Sequence, residues 1–183
     1  MLFRSVFGAL GPTNTDQFRT HREIPIITGQ CFSLDAYTHT SVSARGRRYC
    51  DLYIDPATRR VYPVFTKDRS AQELCQQSRM LYLQHPDWTT NASTEQKRFI
   101  RLDSESNYRS EEFLAFTSSI GYNLERTPVR DKHASGIAER TVGLISAKTN
   151  VAMMSPTPRV PQSYWDFEWR MHATHNLITF QVL

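Results

Sequence analysis

Apolar residues along this chain fall into short runs broken by polar turns, and their period switches between strand-like and helical. Residues 31–37 (CFSLDAY) form the first strand-like run, with Phe32 and Leu34 ahead of an aspartate, Asp35. After the polar turn THTSVSARG, the stretch RRYCDLYID sets Tyr49, Asp51 and Tyr53 against Cys50, Leu52 and Ile54. That period of two predicts a strand with one face buried. Asp55-Pro56 marks a turn, and RRVYPVF predicts a third strand. Pro63 within it has no N–H to donate to a ladder, so this strand belongs at a sheet edge.

Helical signals begin after that. Asp68 or Ser70 is placed to cap a helix running to about Tyr82, with Leu74, Met80 and Leu81 among its apolar residues. HPDWTTNAST reads as loop, and residues 98–102 as a short fourth strand ending at Asp103. Ser110 followed by Glu111, Glu112, Phe113, Leu114 and Phe116 reads as a capped helix start with acids in its first turn. Gly121 stops that helix, YNLERT predicts a fifth strand, and PVRDKHASG reads as a polar loop before a helix over about 137–153. Proline-rich SPTPRVP precedes a last helix carrying Tyr164, Trp165, Phe167 and Trp169. Three strands feeding into alternating helices and strands predict an α/β fold, a mixed sheet with helices on its faces. Residues 1–28 read as a weakly structured arm, and 29–183 as one domain.

Composition narrows the class. A chain of 183 residues suits a single core of ordinary size, and 39% hydrophobic content excludes wholesale disorder. No apolar run is long enough to span a bilayer, and no cleavage pattern follows MLFRSVFGALG, so neither a membrane nor a secretory route is expected. A formal charge of +4 is compatible with a polyanionic partner without demonstrating one. Three cysteines without a CxxC pair, two of them in strand-like runs, read as small buried hydrophobes in a reducing, intracellular setting.

Three carboxylates carry the candidate chemistry: Asp35 inside an apolar strand, Asp103 at a strand end, and Glu139 in the predicted first turn of a helix. Each has an ordinary explanation. Aspartate after a strand is common turn chemistry, and a glutamate early in a helix complements its dipole. A buried lone aspartate needs a partner, a proton or a metal. Together, two strand aspartates and a helix glutamate suit Mg²⁺, which takes carboxylate oxygens, if the two strands are neighbours, and a pair of such ions suits phosphoryl transfer.

The blocks PIITGQCFSLDAY, GRRYCDLYIDPATRRVYPVFTKDRS and RLDSESNYRSEEFLAFTSSIGYNLERTPVRDKHASGIAER resemble the catalytic core of retroelement integrases of the copia-type and retroviral kind. The resemblance spans about residues 25–180. It includes 35 residues between Asp103 and Glu139, and LISAKTNVAMM and PQSYWDFEW after them. It implies a ribonuclease H-like fold with a five-stranded mixed sheet flanked by helices. It also implies that Asp35, Asp103 and Glu139 are the catalytic carboxylates and ligands of two Mg²⁺ or Mn²⁺ ions. The implied activity is that of a polynucleotidyl transferase performing 3′-end processing and strand transfer of element DNA into target DNA. A homodimer or higher oligomer, a polyprotein origin, and passage from a cytoplasmic particle to the nucleus are implied as well.

The chain departs from the family pattern beside both aspartates. Glu105 and Asn107 stand where that pattern carries glycine and glutamate, and the Gly-Pro that follows the first aspartate is absent after Asp35. A degenerate integrase fold acting as a DNA- or protein-binding module is therefore the alternative reading. The histidines lack zinc-site spacing with the cysteines, so no zinc is expected. For DNA contact, the polar loop before Glu139 supplies Arg130, Lys132, His133 and Ser135, and the helix supplies Arg140 and Lys148. Trp165, Phe167 and Trp169 read as packing residues.

Overall fold

The computed structural model describes residues 27–90, 97–102, 108–126, 132–155 and 160–179. Five strands form one sheet: β1 (Cys31–Thr38), β2 (Tyr49–Ile54), β3 (Val61–Thr66), β4 (Phe99–Leu102) and β5 (Asn123–Arg126). Their order is β3-β2-β1-β4-β5, with β1 at the centre. β1–β2 and β2–β3 are antiparallel, whereas β1–β4 and β4–β5 are parallel, so the sheet is mixed. Pro63 lies on β3 at the edge, where its missing donor costs no ladder bond. The β2–β3 turn is held by buried Asp55, whose carboxylate accepts from the Ala57 and Gly29 N–H groups and the Thr58 hydroxyl.

The helices are α1 (Ala71–Gln84), α2 (Asp87–Thr90), α3 (Glu111–Ser119), α4 (Lys132–Met154) and α5 (Trp165–Thr179). Ser70 and Ser110 cap α1 and α3, each hydroxyl accepting a backbone N–H three residues on, at 3.2 Å. The residues of each face of the sheet form their own cluster. Phe32, Leu34, Tyr53, Val64, Ile100 and Leu102 pack with α1 and α3, while Cys50, Leu52, Ile54 and Phe65 pack with Ala138 and Ile145 of α4 and Trp165 and Trp169 of α5. β2 is therefore buried on both faces, not on one as its alternation suggested, and that is the usual state of a strand covered by helices on either side. All three cysteines are buried, and none is in a disulfide.

Two boundaries differ from the sequence expectation. HPDWTTNAST contains α2, a single turn anchored by buried Trp88, which lies 4.7 Å from the Phe32 ring and stacks on His85 at 4.4 Å. Trp88 also presses on Gly29, where an added Cβ would stand 2.9 Å from the indole. One tryptophan in a polar run carries no periodicity, so only its tertiary contacts reveal the turn. Helix α4 begins at Lys132 rather than near residue 137, which makes helix of most of the segment read as loop. Glu139 consequently stands about two turns inside α4, beyond the reach of the N-terminal dipole that had offered it an ordinary explanation.

Candidate catalytic site

Asp35 is placed by β1, the central strand, and is half-buried; its Oδ1 accepts the Ala36 N–H at 2.9 Å. In register it lies opposite Leu52 of β2, so the two share a face. Leu52 belongs to the cluster that contains Ala138 of α4, and α4 packs against β1. Glu139 follows Ala138 and is exposed on α4, so Asp35 lies on the face of the sheet against which the helix bearing Glu139 packs. On the other flank of β1, Leu34 lies opposite Leu102, the last residue of β4. Asp103 is the next residue in sequence and lies outside the described residues.

Of the residues expected to contact DNA, Arg130 lies outside the described residues. Lys132, His133 and Ser135 fall within α4 instead of a loop. Arg140 is exposed and Lys148 half-buried on the same helix.

A cavity of about 230 Å³ opens beside Asp35. Leu34 and Ala36 border it from the α1/α3 side of β1, and Asp35 from the other. Its far wall comprises Asp51 of β2, Arg69 before α1, and Tyr108 and Ser110 before α3. Asp51 is 6% exposed, and its Oδ1 accepts the Tyr108 hydroxyl proton in a short hydrogen bond. Burial pushes the Asp51 carboxyl up to about 6, against the Tyr108 hydrogen bond and the Arg69 charge, which pull it down; the Asp35 charge adds to the rise. Burial likewise holds the Tyr108 phenol well above its ordinary range, with the Asp51 charge reinforcing it. Tyr108 thus stays neutral and serves as a donor.

Sequence reasoning passed over this pair. Asp51 occupies the same phase of β2 as Tyr49 and Tyr53, which placed a carboxylate on an aromatic-rich strand face. A buried acid there needs a donor, and that requirement was the available signal. Tyr108 gave none, because only the tertiary fold brings it across from the start of α3.

The chemistry of Asp35 and Glu139 suits a hard divalent cation, since both offer carboxylate oxygens. Among the described residues no group of three or more His, Cys, Asp or Glu side chains is arranged to hold a metal ion, and Asp103 is not among those residues. The fit to a cation therefore stands on two described acids and the chemistry of their donors.

Comparison with solved structures gives a match to a simian T-cell lymphotropic virus intasome in complex with the PP2A regulatory subunit B56 gamma, at a TM-score of 0.59 and 13% identity. The match covers 79% of this chain and 48% of that one, so this chain aligns with about half of its length. The fold is integrase-like. With its five-stranded mixed sheet between helices, it is a ribonuclease H-like α/β fold. No family model matches the sequence, and no curated protein matches it. Among the described residues no helix is long and apolar enough to cross a membrane.

Proposed function

We propose that this chain is the catalytic core of a DNA integrase, a polynucleotidyl transferase that cuts near a DNA 3′ end and joins the freed 3′-hydroxyl to target DNA. The observation that carries the reading is the pairing of Leu34 with Leu102, on a central strand that also packs against the helix bearing Glu139. An acid follows each of the two leucines in the chain, Asp35 after one and Asp103 after the other. The integrase-like fold and the 35-residue interval from Asp103 to Glu139 support it.

Asp35, Asp103 and Glu139 would hold Mg²⁺ or Mn²⁺. When bound, such ions supply charge stabilisation for in-line phosphoryl transfer and lower the pKa of an attacking water. The chain's own contribution is placement. The sheet fixes Asp35 between two neighbouring strands, and the Ala36 N–H orients its carboxylate. Arg140 and Lys148 on α4 supply cations for DNA phosphates, and Lys132, His133 and Ser135, with Arg130 before them, would extend that contact. The partners of this reading are element DNA ends and target DNA, and the oligomer is a homodimer or larger.

The test is cleavage of a labelled duplex end with Mg²⁺ or Mn²⁺. Metal-dependent scission that disappears in Asp35→Asn, Asp103→Asn and Glu139→Gln is expected. Scission that survives all three substitutions overturns the assignment. Equal inertness of wild type and variants, with DNA binding retained, makes this fold a binding module.

A further inference from the structure

Three exposed cations gather at one end of the sheet. β1 runs out past Asp35 to Thr38, which lies opposite Tyr49 of β2, and Tyr49 in turn lies opposite Thr66 of β3. Just beyond that row stand three exposed cations. The Arg48 N–H donates to the Thr66 carbonyl at 3.1 Å, Lys67 follows Thr66 in the chain, and the Arg69 guanidinium donates to the Thr38 hydroxyl at 2.6 Å. Among the described residues none of the three forms an ion pair. Exposed Asp68 nevertheless stands between Lys67 and Arg69 in the chain and feels the Lys67 charge, and the Arg69 charge acts on buried Asp51. The adjacent Arg47 is engaged otherwise, held by Glu73 at 2.8 Å and the Phe65 carbonyl at 3.0 Å.

Arg69 also borders the cavity beside Asp35. The cationic row is thus continuous with the candidate site, three strand residues or roughly 10 Å beyond Asp35. It lies on turns quite apart from α4, where the other cations expected to meet DNA are found.

We propose that Arg48, Lys67 and Arg69 form a phosphate-binding track along which duplex DNA leaves the Asp35 cavity, an inference that rests on the integrase reading. Three exposed cations that form no ion pair among the described residues outnumber the one exposed acid between them, Asp68, and are matched by a polyanion with regularly spaced charge. The ring at hand favours backbone contact over base stacking, because Tyr49 is half-buried beneath the Arg69 guanidinium, 5.1 Å from its centroid. The track adds affinity and direction, and it makes binding depend steeply on salt.

The test measures binding of a duplex oligonucleotide, without metal, across a salt series. Arg48→Gln/Lys67→Gln/Arg69→Gln is compared with Arg59→Gln/Arg60→Gln, which removes exposed cations from the β2–β3 turn at the opposite end of the sheet. The triple variant is expected to lower the slope of log affinity against log salt by roughly 2 to 3, about one unit for each phosphate left without its cation, while the far-end pair changes it little. Thermal melts confirm that both variants remain folded. Equal slope changes per cation removed at the two ends, or no duplex binding by the wild type at low salt, overturns the proposal. Tighter binding of an equal single strand, weakened in the same way by the triple substitution, overturns the duplex assignment. Asp35→Asn separates this inference from the catalytic one. If it binds like wild type and the triple variant does not, the track stands even where no scission is found. Scission untouched by the triple variant at raised salt leaves the catalytic reading intact while removing the track.

Discussion

Tyr108, at the threshold of α3, donates its hydroxyl proton to Asp51 on β2, and the two are buried together beside the strand that carries Asp35. This bond ties the chain just after residues 103–107 to the sheet, while Leu102 ties it just before them by pairing with Leu34. Both ends of the segment that contains Asp103 are thereby anchored.

Tyr108→Phe removes the donor and leaves a buried carboxyl with less compensation. A loss of about 1–3 kcal/mol is expected at neutral pH, the cost of an unsatisfied buried polar group. Asp51→Asn/Tyr108→Phe is expected to lose less than the sum of its two single variants, because the charge that needs the donor has gone. Urea unfolding of the four proteins measures the coupling. Strictly additive losses would contradict a direct bond.

The raised Asp51 pKa gives a second expectation. Its folded value of about 6 lies above the ordinary value of 3.8, so the folded chain binds the extra proton between those limits. The contribution is most favourable below about pH 4 and is lost as pH rises through 6, by about 3 kcal/mol in all. Asp51→Asn removes this dependence, so its stability relative to wild type is expected to rise by that amount from pH 4 to pH 7. Taking the difference cancels other titrating groups such as His39, whose pKa is lowered chiefly by burial. A difference that stays flat across this range would rule the shift out.

The strands were legible because each left a local mark. Alternation at 49–54, Asp55-Pro56 and the donorless Pro63 together located β2, its turn and the edge strand β3. Ser70 and Ser110 announced α1 and α3 in the same way. What stayed hidden depends on residues distant in the chain. Trp88 makes a helical turn through contacts with Phe32 and His85, and Tyr108 finds Asp51 across 57 positions. The early start of α4 was masked by KHASG, which has no apolar periodicity and contains Gly136, a poor helix former. In the candidate site, Asp35 and Glu139 were named from spacing and resemblance, but Asp51 and Arg69, which line the cavity with Asp35, could not be, since nothing local links β2 to the turn before α1.

The last helix separates packing from surface within three residues. Trp165 is fully buried, stacks on His39 at 4.4 Å and meets Phe65 edge-on, whereas Phe167 is 39% exposed with the Arg45 guanidinium 3.8 Å above its ring. Trp165→Ala is expected to cost about 3–5 kcal/mol through lost burial and the cavity left behind. Phe167→Ala is expected to cost about 0.5–1 kcal/mol, the scale of an exposed cation–π contact. Denaturant midpoints distinguish the two, and comparable losses would show that Phe167 is buried in solution by an assembly.

Binding of Mn²⁺ by the candidate carboxylates has a readout that needs no DNA. A cation that binds only the folded chain stabilises it by mass action, by about 1.4 kcal/mol at ten times its dissociation constant. For a domain of this size that corresponds to a melting shift of roughly 3–6 °C. Asp35→Asn keeps an oxygen to accept the Ala36 N–H but loses the charge that attracts the ion, so it is expected to melt near wild type without metal and to lose most of the shift with it. Glu139→Gln, exposed on α4, is expected to behave alike. Arg59→Gln/Arg60→Gln, at the far end of the sheet, should keep the full shift. A shift that persists in both carboxyl variants would mean that the ion binds elsewhere, and the assignment of Asp35 and Glu139 as its ligands would fall with it.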